Sequence, residues 1–311
     1  MWREIDDLMP ERDRPEPSRG SRAGIEIHGE KTSADPRDAL TRHLDLPRGP
    51  GRERVRVRQH EYRLSGGDVR TLATVGAFRV VPAADLREAN HRTPTRPTRD
   101  LERLRDLGLV RTMPYVVGRQ RTTIVTLTER GRRLLEEHRK PQSDGRLQAF
   151  YSGICRPREL AHDTRVYAAY LRAAERLSER GSRVQRVVLE SELKSSYQRF
   201  LQANRGRRDA TGKPERDQEA IARWALEHHL PFHDGHVEFP DLRLEYEDRD
   251  GRRGIEDIEV VTPHYRGAHA AAKVRAGFGR YRAVGARLGG SAHAGRGGRG
   301  PDPRLAEELL S

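Results

Sequence analysis

Cysteine is almost absent from this chain. Cys155 is the only one in 311 residues, which excludes an intramolecular disulfide and gives no basis for a thiolate zinc cluster. No apolar run approaches the roughly 20 residues a membrane-spanning helix needs, and Met1-Trp2-Arg3-Glu4 opens no signal peptide. A cytoplasmic protein without a membrane partner is the expectation. Walker-type and dinucleotide glycine loops are missing, so ATP or NAD chemistry has no sequence support. Ser191, Ser195 and Ser196 stand outside any Gly-x-Ser-x-Gly, which argues against a hydrolase elbow served by His162 and Asp163. Hydrophobic residues make up only 34% of the chain, the same share as charged ones, too few to fill a core along the full length. Ordered domains flanked by solvated segments follow.

What the chain has in excess is positive charge. The formal net charge is +13, carried largely by arginine, and such a surface attracts polyanions through counterion release. Residues 1–50 mix Arg, Glu, Asp, Pro and Gly without a sustained period and read as a disordered tail. Residues 287–311 read as a glycine-rich flexible tail. Lys140-Pro141-Gln142-Ser143-Asp144-Gly145 breaks the chain, predicting one domain over 51–140 and a second over 146–286.

The first domain opens with Val55-Arg56-Val57-Arg58, which alternates as a small strand. Ser65-Gly66-Gly67-Asp68 has capping-box spacing, and Val69, Leu72 and Val75 follow on one helical face. Pro82 suits the first turn of a second helix, Ala83 to about Ala89. Pro94 and Pro97 mark a turn before a third, short amphipathic helix closed by Gly108. Leu101 and Leu104 line one side of it, and Arg99 and Arg103 project from another. Leu109 to Val117 and Thr122 to Leu127 alternate as strands around a tip carrying Arg119 and Arg121, and Thr128 caps a fourth helix. That order describes a winged helix-turn-helix. Its partner would be double-stranded DNA, with Arg99 and Arg103 reaching the major groove and Arg119 and Arg121 the backbone or minor groove. Protein docking is the other use of such a module.

In the second domain the spacing predicts a long amphipathic helix over Arg158–Arg180, a strand over Arg183–Leu189 and a polar helical insertion from Glu192 to His229. A strand over His236–Tyr246 and a returning strand over Gly254–Val261 flank the turn Asp248-Arg249-Asp250-Gly251. A helix containing Lys273 and Tyr281 comes last. Strand period two puts Asp241, Arg243 and Glu245 on one face, and Asp257 and Glu259 together on the partner. Two or three such carboxylates suit Mg²⁺, which takes one or two acids and leaves waters and phosphate oxygens to complete its shell. An exposed antiparallel hairpin with its charges in water is the alternative. His228-His229 and His233-Asp234-Gly235-His236 invite a metal but lack a distant matching set, so an Asp-Gly turn is expected there.

Helix, strand, a strand beginning Pro240-Asp241, a strand bearing Glu259, then a helix: this order resembles the PD-(D/E)XK, or restriction-endonuclease-like, nuclease superfamily. Joined to a winged helix it resembles more narrowly the replication-relaxation family of mobile-element proteins, over about residues 65–285. The resemblance implies an α+β chain with a winged helix-turn-helix before a restriction-endonuclease-like α/β domain. It makes Asp241, Glu259 and Lys273 catalytic, with Mg²⁺ on Asp241 and Glu259 and Asp257 as a third acid; Glu192 is a further candidate ligand. Val261 stands where the superfamily has its lysine, so Lys273 would supply that cation from the following helix. The superfamily's final strand is not evident, because residues 285–300 read as loop. The implied setting is replication or transfer of a plasmid or integrated element, alongside replication or mobilisation proteins. A non-catalytic transcriptional regulator or replication accessory factor, keeping a degenerate nuclease fold, is the second reading.

Overall fold

Alternation and capping build most of the elements. In the computed structural model the described residues are 35–86, 97–117, 120–140, 146–154, 159–204, 217–261 and 276–282. A single turn, α1 (Asp38–Thr41), precedes an antiparallel ribbon of β1 (Glu53–Val57) and β2 (His60–Leu64). Helix α2 (Gly66–Phe78) follows, and the capping box is formed: Ser65 Oγ accepts from the Asp68 N–H at 3.4 Å, and Asp68 Oδ2 accepts from the Ser65 N–H at 2.8 Å. Val69, Leu72 and Val75 are buried as their spacing requires. Next come β3 (Val81–Pro82), a 3-10 turn over Ala83–Leu86, α3 (Pro97–Asp106), β4 (Val110–Val117), β5 (Gln120–Leu127) and α4 (Glu129–Glu137). Strand β5 is central in this sheet, antiparallel to β4 on one side and β3 on the other. Thr128 ties the start of α4 down, accepting from the Gly131 N–H at 3.0 Å and donating to the Gly108 carbonyl at 2.6 Å. Gly131 is required there, because a Cβ would run into the Leu109 carbonyl.

The second half contains α5 (Leu160–Glu179), β6 (Arg183–Leu189), α6 (Glu190–Ala203), α7 (Gln218–Glu227), the small hairpin of β7 (Phe232–His233) and β8 (His236–Val237), then β9 (Leu242–Glu247), β10 (Arg253–Val261) and β11 (Gly279–Arg282). The main sheet has the order β11-β10-β9-β6, antiparallel except for the parallel β10–β11 pair. The chain is thus a mixed α+β fold. Asp234 and Gly235, both at positive φ, make the expected two-residue turn between β7 and β8.

Several expectations need correction. Residues 35–50 are not a tail: Leu40, Leu44 and Leu46 are buried, and Arg37 Nη1 donates to the Leu86 carbonyl at 2.8 Å. Pro82 lies in a strand rather than a helix, and only a 3-10 turn occupies Ala83–Leu86; the rest of that predicted helix lies outside the described residues. The strand expected over His236–Tyr246 is interrupted, because Pro240 has no N–H to give to a ladder, and β9 begins at Leu242. Tyr281 is in a strand, not a helix. Gly277, at positive φ, turns the chain, and Phe278 and Tyr281 are buried, so β11 supplies a final strand that no periodicity announces.

The described residues fall in one compact unit, and one apolar cluster runs through both halves. Its joint is aromatic. Phe78 of α2 lies 5.0 Å from the Tyr167 ring and 4.9 Å from the Tyr170 ring, both on α5 and both fully buried. The Tyr170 hydroxyl donates to the Pro36 carbonyl at 2.6 Å. The stretch between the halves is stitched to each. Tyr151 N–H donates to the Gly76 carbonyl and Gly153 N–H to that of Leu127. The Gln148 amide pairs with both backbone groups of Val187, at 2.9 and 3.0 Å. Replacing Phe78 with alanine removes the shared ring, and a destabilisation of about 3–5 kcal/mol is expected for such a core truncation. Urea denaturation followed by far-UV circular dichroism measures it. A change under about 1 kcal/mol would mean the rings do not join the halves.

Candidate functional site

The cations predicted to face a polyanion separate into two kinds. Arg99 on α3 and Arg121 on β5 are exposed; Arg119 lies outside the described residues. Arg103 is not an outward cation. Its guanidinium turns in to the carboxylate of Asp68, which is 2% exposed, and Nη1 donates to the Arg63 carbonyl at 3.1 Å. The reason is electrostatic: a buried carboxylate needs a cation, and the same acid that closes the capping box of α2 docks α3 through Arg103. Leu104 on the inner side of α3 is fully buried.

The acids of the main sheet are not on a solvated face. Asp241 and Glu259 are 9% and 3% exposed. Asp241 immediately precedes β9, whose first residue Leu242 pairs with Ile258, the neighbour of Glu259 on β10. Asp241 Oδ2 accepts from the Val260 N–H at 2.8 Å, and the Asp241 carbonyl accepts from the Glu190 N–H at 3.2 Å. Burial of two acids on adjoining parts of one sheet marks a candidate site, since each charge costs several kcal/mol to desolvate.

Asp257 does not join them. Both its oxygens are taken by Arg243, at 2.7 Å from Nε and 2.8 Å from Nη2, and Arg243 also donates to the His228 and His229 carbonyls. Glu192 is engaged elsewhere too, with Arg186 and the Tyr151 hydroxyl; burial holds its carboxyl above the usual range against the pull of Arg186. Lys273 lies outside the described residues.

A histidine with no catalytic motif around it in the sequence stands at the site instead. His162, near the start of α5, places Nε2 3.1 Å from Asp241 Oδ2, with Nδ1 3.6 Å from Asp163 Oδ1. Burial works against charge on the imidazole, but hydrogen bonds and attraction from Asp163 and Asp241 outweigh it and raise the pKa to about 10. His162-Asp163 is visible in the sequence, yet nothing local links it to a strand far along the chain.

Among the described residues no group of three or more His, Cys, Asp or Glu side chains is arranged to hold a metal ion. Of the acids expected at a metal, Asp257 and Glu192 are engaged by arginines, which narrows the candidate donors to Asp241 and Glu259. Among the described residues no helix is long and apolar enough to cross a membrane. No protein-family model, no curated protein and no solved structure matches the chain.

Two outcomes follow from these contacts. Arg243→Ala strands the Asp257 carboxylate, and the expected destabilisation, read by denaturant titration, is about 3–5 kcal/mol; Arg243→Met paired with Asp257→Asn should recover much of it. His162 is protonated more readily folded than unfolded, so its stabilisation is complete below its ordinary pKa of about 6.5 and is lost as pH rises through about 10. Thermal melts of the wild type and His162→Gln should therefore differ most below pH 6.5 and converge towards pH 10. A constant difference across that range would mean the imidazole carries no linked proton.

Proposed function

We propose that this protein binds duplex DNA and acts in the replication or transfer of a mobile element, as a winged helix-turn-helix joined to a restriction-endonuclease-like domain with Mg²⁺-dependent phosphodiester chemistry. The observation that carries the catalytic part is the burial of two acids, Asp241 just before β9 and Glu259 on the adjoining β10. Helices α2 and α3, the β4–β5 hairpin and the short strand β3 beside it support the winged-helix part. Arg99 and Arg121 are its exposed cations. The parallel strand β11 supports the resemblance to the nuclease superfamily, supplying its final strand.

Mg²⁺ would be held by Asp241 and Glu259; when bound, it supplies a water of lowered pKa and a counter-charge for the phosphodiester. The chain's own residues fix this pair. The Val260 N–H orients the Asp241 carboxylate, and Arg243 keeps Asp257 neutralised and out of the set. His162 places a positive charge against Asp241. That contact favours the second reading, a non-catalytic regulator or replication accessory factor, since a cationic imidazole balances the acid without any metal.

Supercoiled plasmid incubated with Mg²⁺ or Mn²⁺ tests both. Relaxation or linearisation that needs metal and is abolished in Asp241→Asn is the expected result. Retardation of the plasmid without cleavage, equal in the two proteins, would overturn the nuclease and leave the regulator. No retardation by the wild type would overturn DNA binding itself.

A further inference from the structure

The β1–β2 ribbon has two chemically opposite faces. Val55, Val57, Tyr62 and Leu64 are buried beneath it, while Arg54, Arg56, Glu61 and Arg63 are exposed. The register sets Arg54 directly across from Arg63. Like charges directly opposed weaken a strand pair, and of these three arginines only Arg56 has an acid, Glu61, directly across from it. Glu61 is shared between two arginines, at 3.5 Å from Arg54 and 3.8 Å from Arg56, whose side chains remain 79% and 84% exposed. Ion pairs of that kind hold little energy and leave the guanidinium forks free to turn outward. Arg63 has no carboxylate partner among the described residues. Arg58, at positive φ in the turn, and Arg52, before β1, flank the face, and each reaches one acid, Glu137 and Asp100 respectively.

The ribbon lies beside α3. Arg52 approaches Asp100 of α3 to 3.5 Å, and the Arg63 carbonyl accepts from Arg103. We infer that the outer face of the β1–β2 ribbon, through Arg54, Arg56 and Arg63, is a phosphate-binding surface that grips the DNA backbone next to α3. This rests on the proposed DNA binding and extends it to a surface outside the winged helix-turn-helix. Charge complementarity selects the occupant. Guanidinium forks match phosphate oxygens in pairs, and the face exposes no large apolar side chain that would seat on a protein or a lipid surface. Alternate residues on a strand stand about 6.7 Å apart, whereas phosphates along one DNA strand rise about 3.4 Å each. Arg54 and Arg56 would therefore meet different phosphates. Such interactions add affinity and set register, without reading sequence.

Fluorescence anisotropy with a labelled duplex of random sequence, from about 50 to 200 mM salt, tests this on the full chain. Arg54→Gln, Arg56→Gln and Arg63→Gln together should lower the log–log salt slope by roughly 2 to 3, at about 0.9 for each phosphate no longer neutralised. The corresponding triple lysine variant should keep the slope. Arg56→Gln alone, at a side chain almost fully in water, should lower it by about 0.9, a result that does not depend on how the triple variant folds. Wild-type slope and affinity in the glutamine variants, with binding abolished in Arg99→Gln/Arg121→Gln, would overturn the ribbon surface and leave DNA binding intact. Absence of duplex binding by the wild type would instead remove the reading on which the ribbon depends.

Discussion

Phe78, packed against both Tyr167 and Tyr170, is the contact on which the architecture turns. A chain with so small an apolar share cannot fill two separate cores of ordinary size. One buried cluster spans both halves, because the last residue of α2 shares the aromatic face of α5. The stretch from Gln148 to Gly153 follows the same logic: its backbone and side-chain amides are bonded to α2, β5 and β6.

Arginine does as much inside this protein as outside it. Asp68, Asp257, Asp35 and Glu192 each have a guanidinium partner, Arg103, Arg243, Arg37 and Arg186. Arg79 lies 4.3 Å over the Tyr151 ring and Arg139 5.1 Å over Phe150, clamping the connecting stretch by cation–π attraction. A planar group with five donors suits these places, since it can pair with an acid, cap a carbonyl and cover a ring at once. The net charge of the sequence thus overstates what faces solvent on α3 and understates the β1–β2 ribbon, where arginines stand in the open.

Local pattern is legible where local physics decides. The alternation of β1, β4, β5 and β6, the capping box at Ser65 and the Asp234-Gly235 turn are all readable, because each depends on neighbours within a few residues. Charges are not, because their partners come from other elements. Arg99 and Arg103 share a helical face by spacing, yet only one is outward; Asp257 and Glu259 share a strand face, yet only Asp257 has Arg243 across from it. That Asp241 and Glu259 fall near each other in the hairpin is readable from strand period, while their burial is not, since it depends on what covers the sheet. His162 stands beside Asp163 in the sequence, but nothing local ties it to Asp241. Tyr281 reads as helical in isolation, because two glycines around Phe278 hide a four-residue strand that only pairing with β10 brings into being.

That last strand has a consequence for how the molecule is made. A parallel neighbour cannot be supplied by a hairpin, so β10 must wait, during synthesis, until residues well downstream have left the ribosome. Until then its outer N–H and C=O groups stay unpaired beside Ile258 and Val260, a template on which a second nascent copy could pair. The short segment Gly279–Arg282 therefore covers an edge of β10 whose backbone groups would otherwise stand open to pairing.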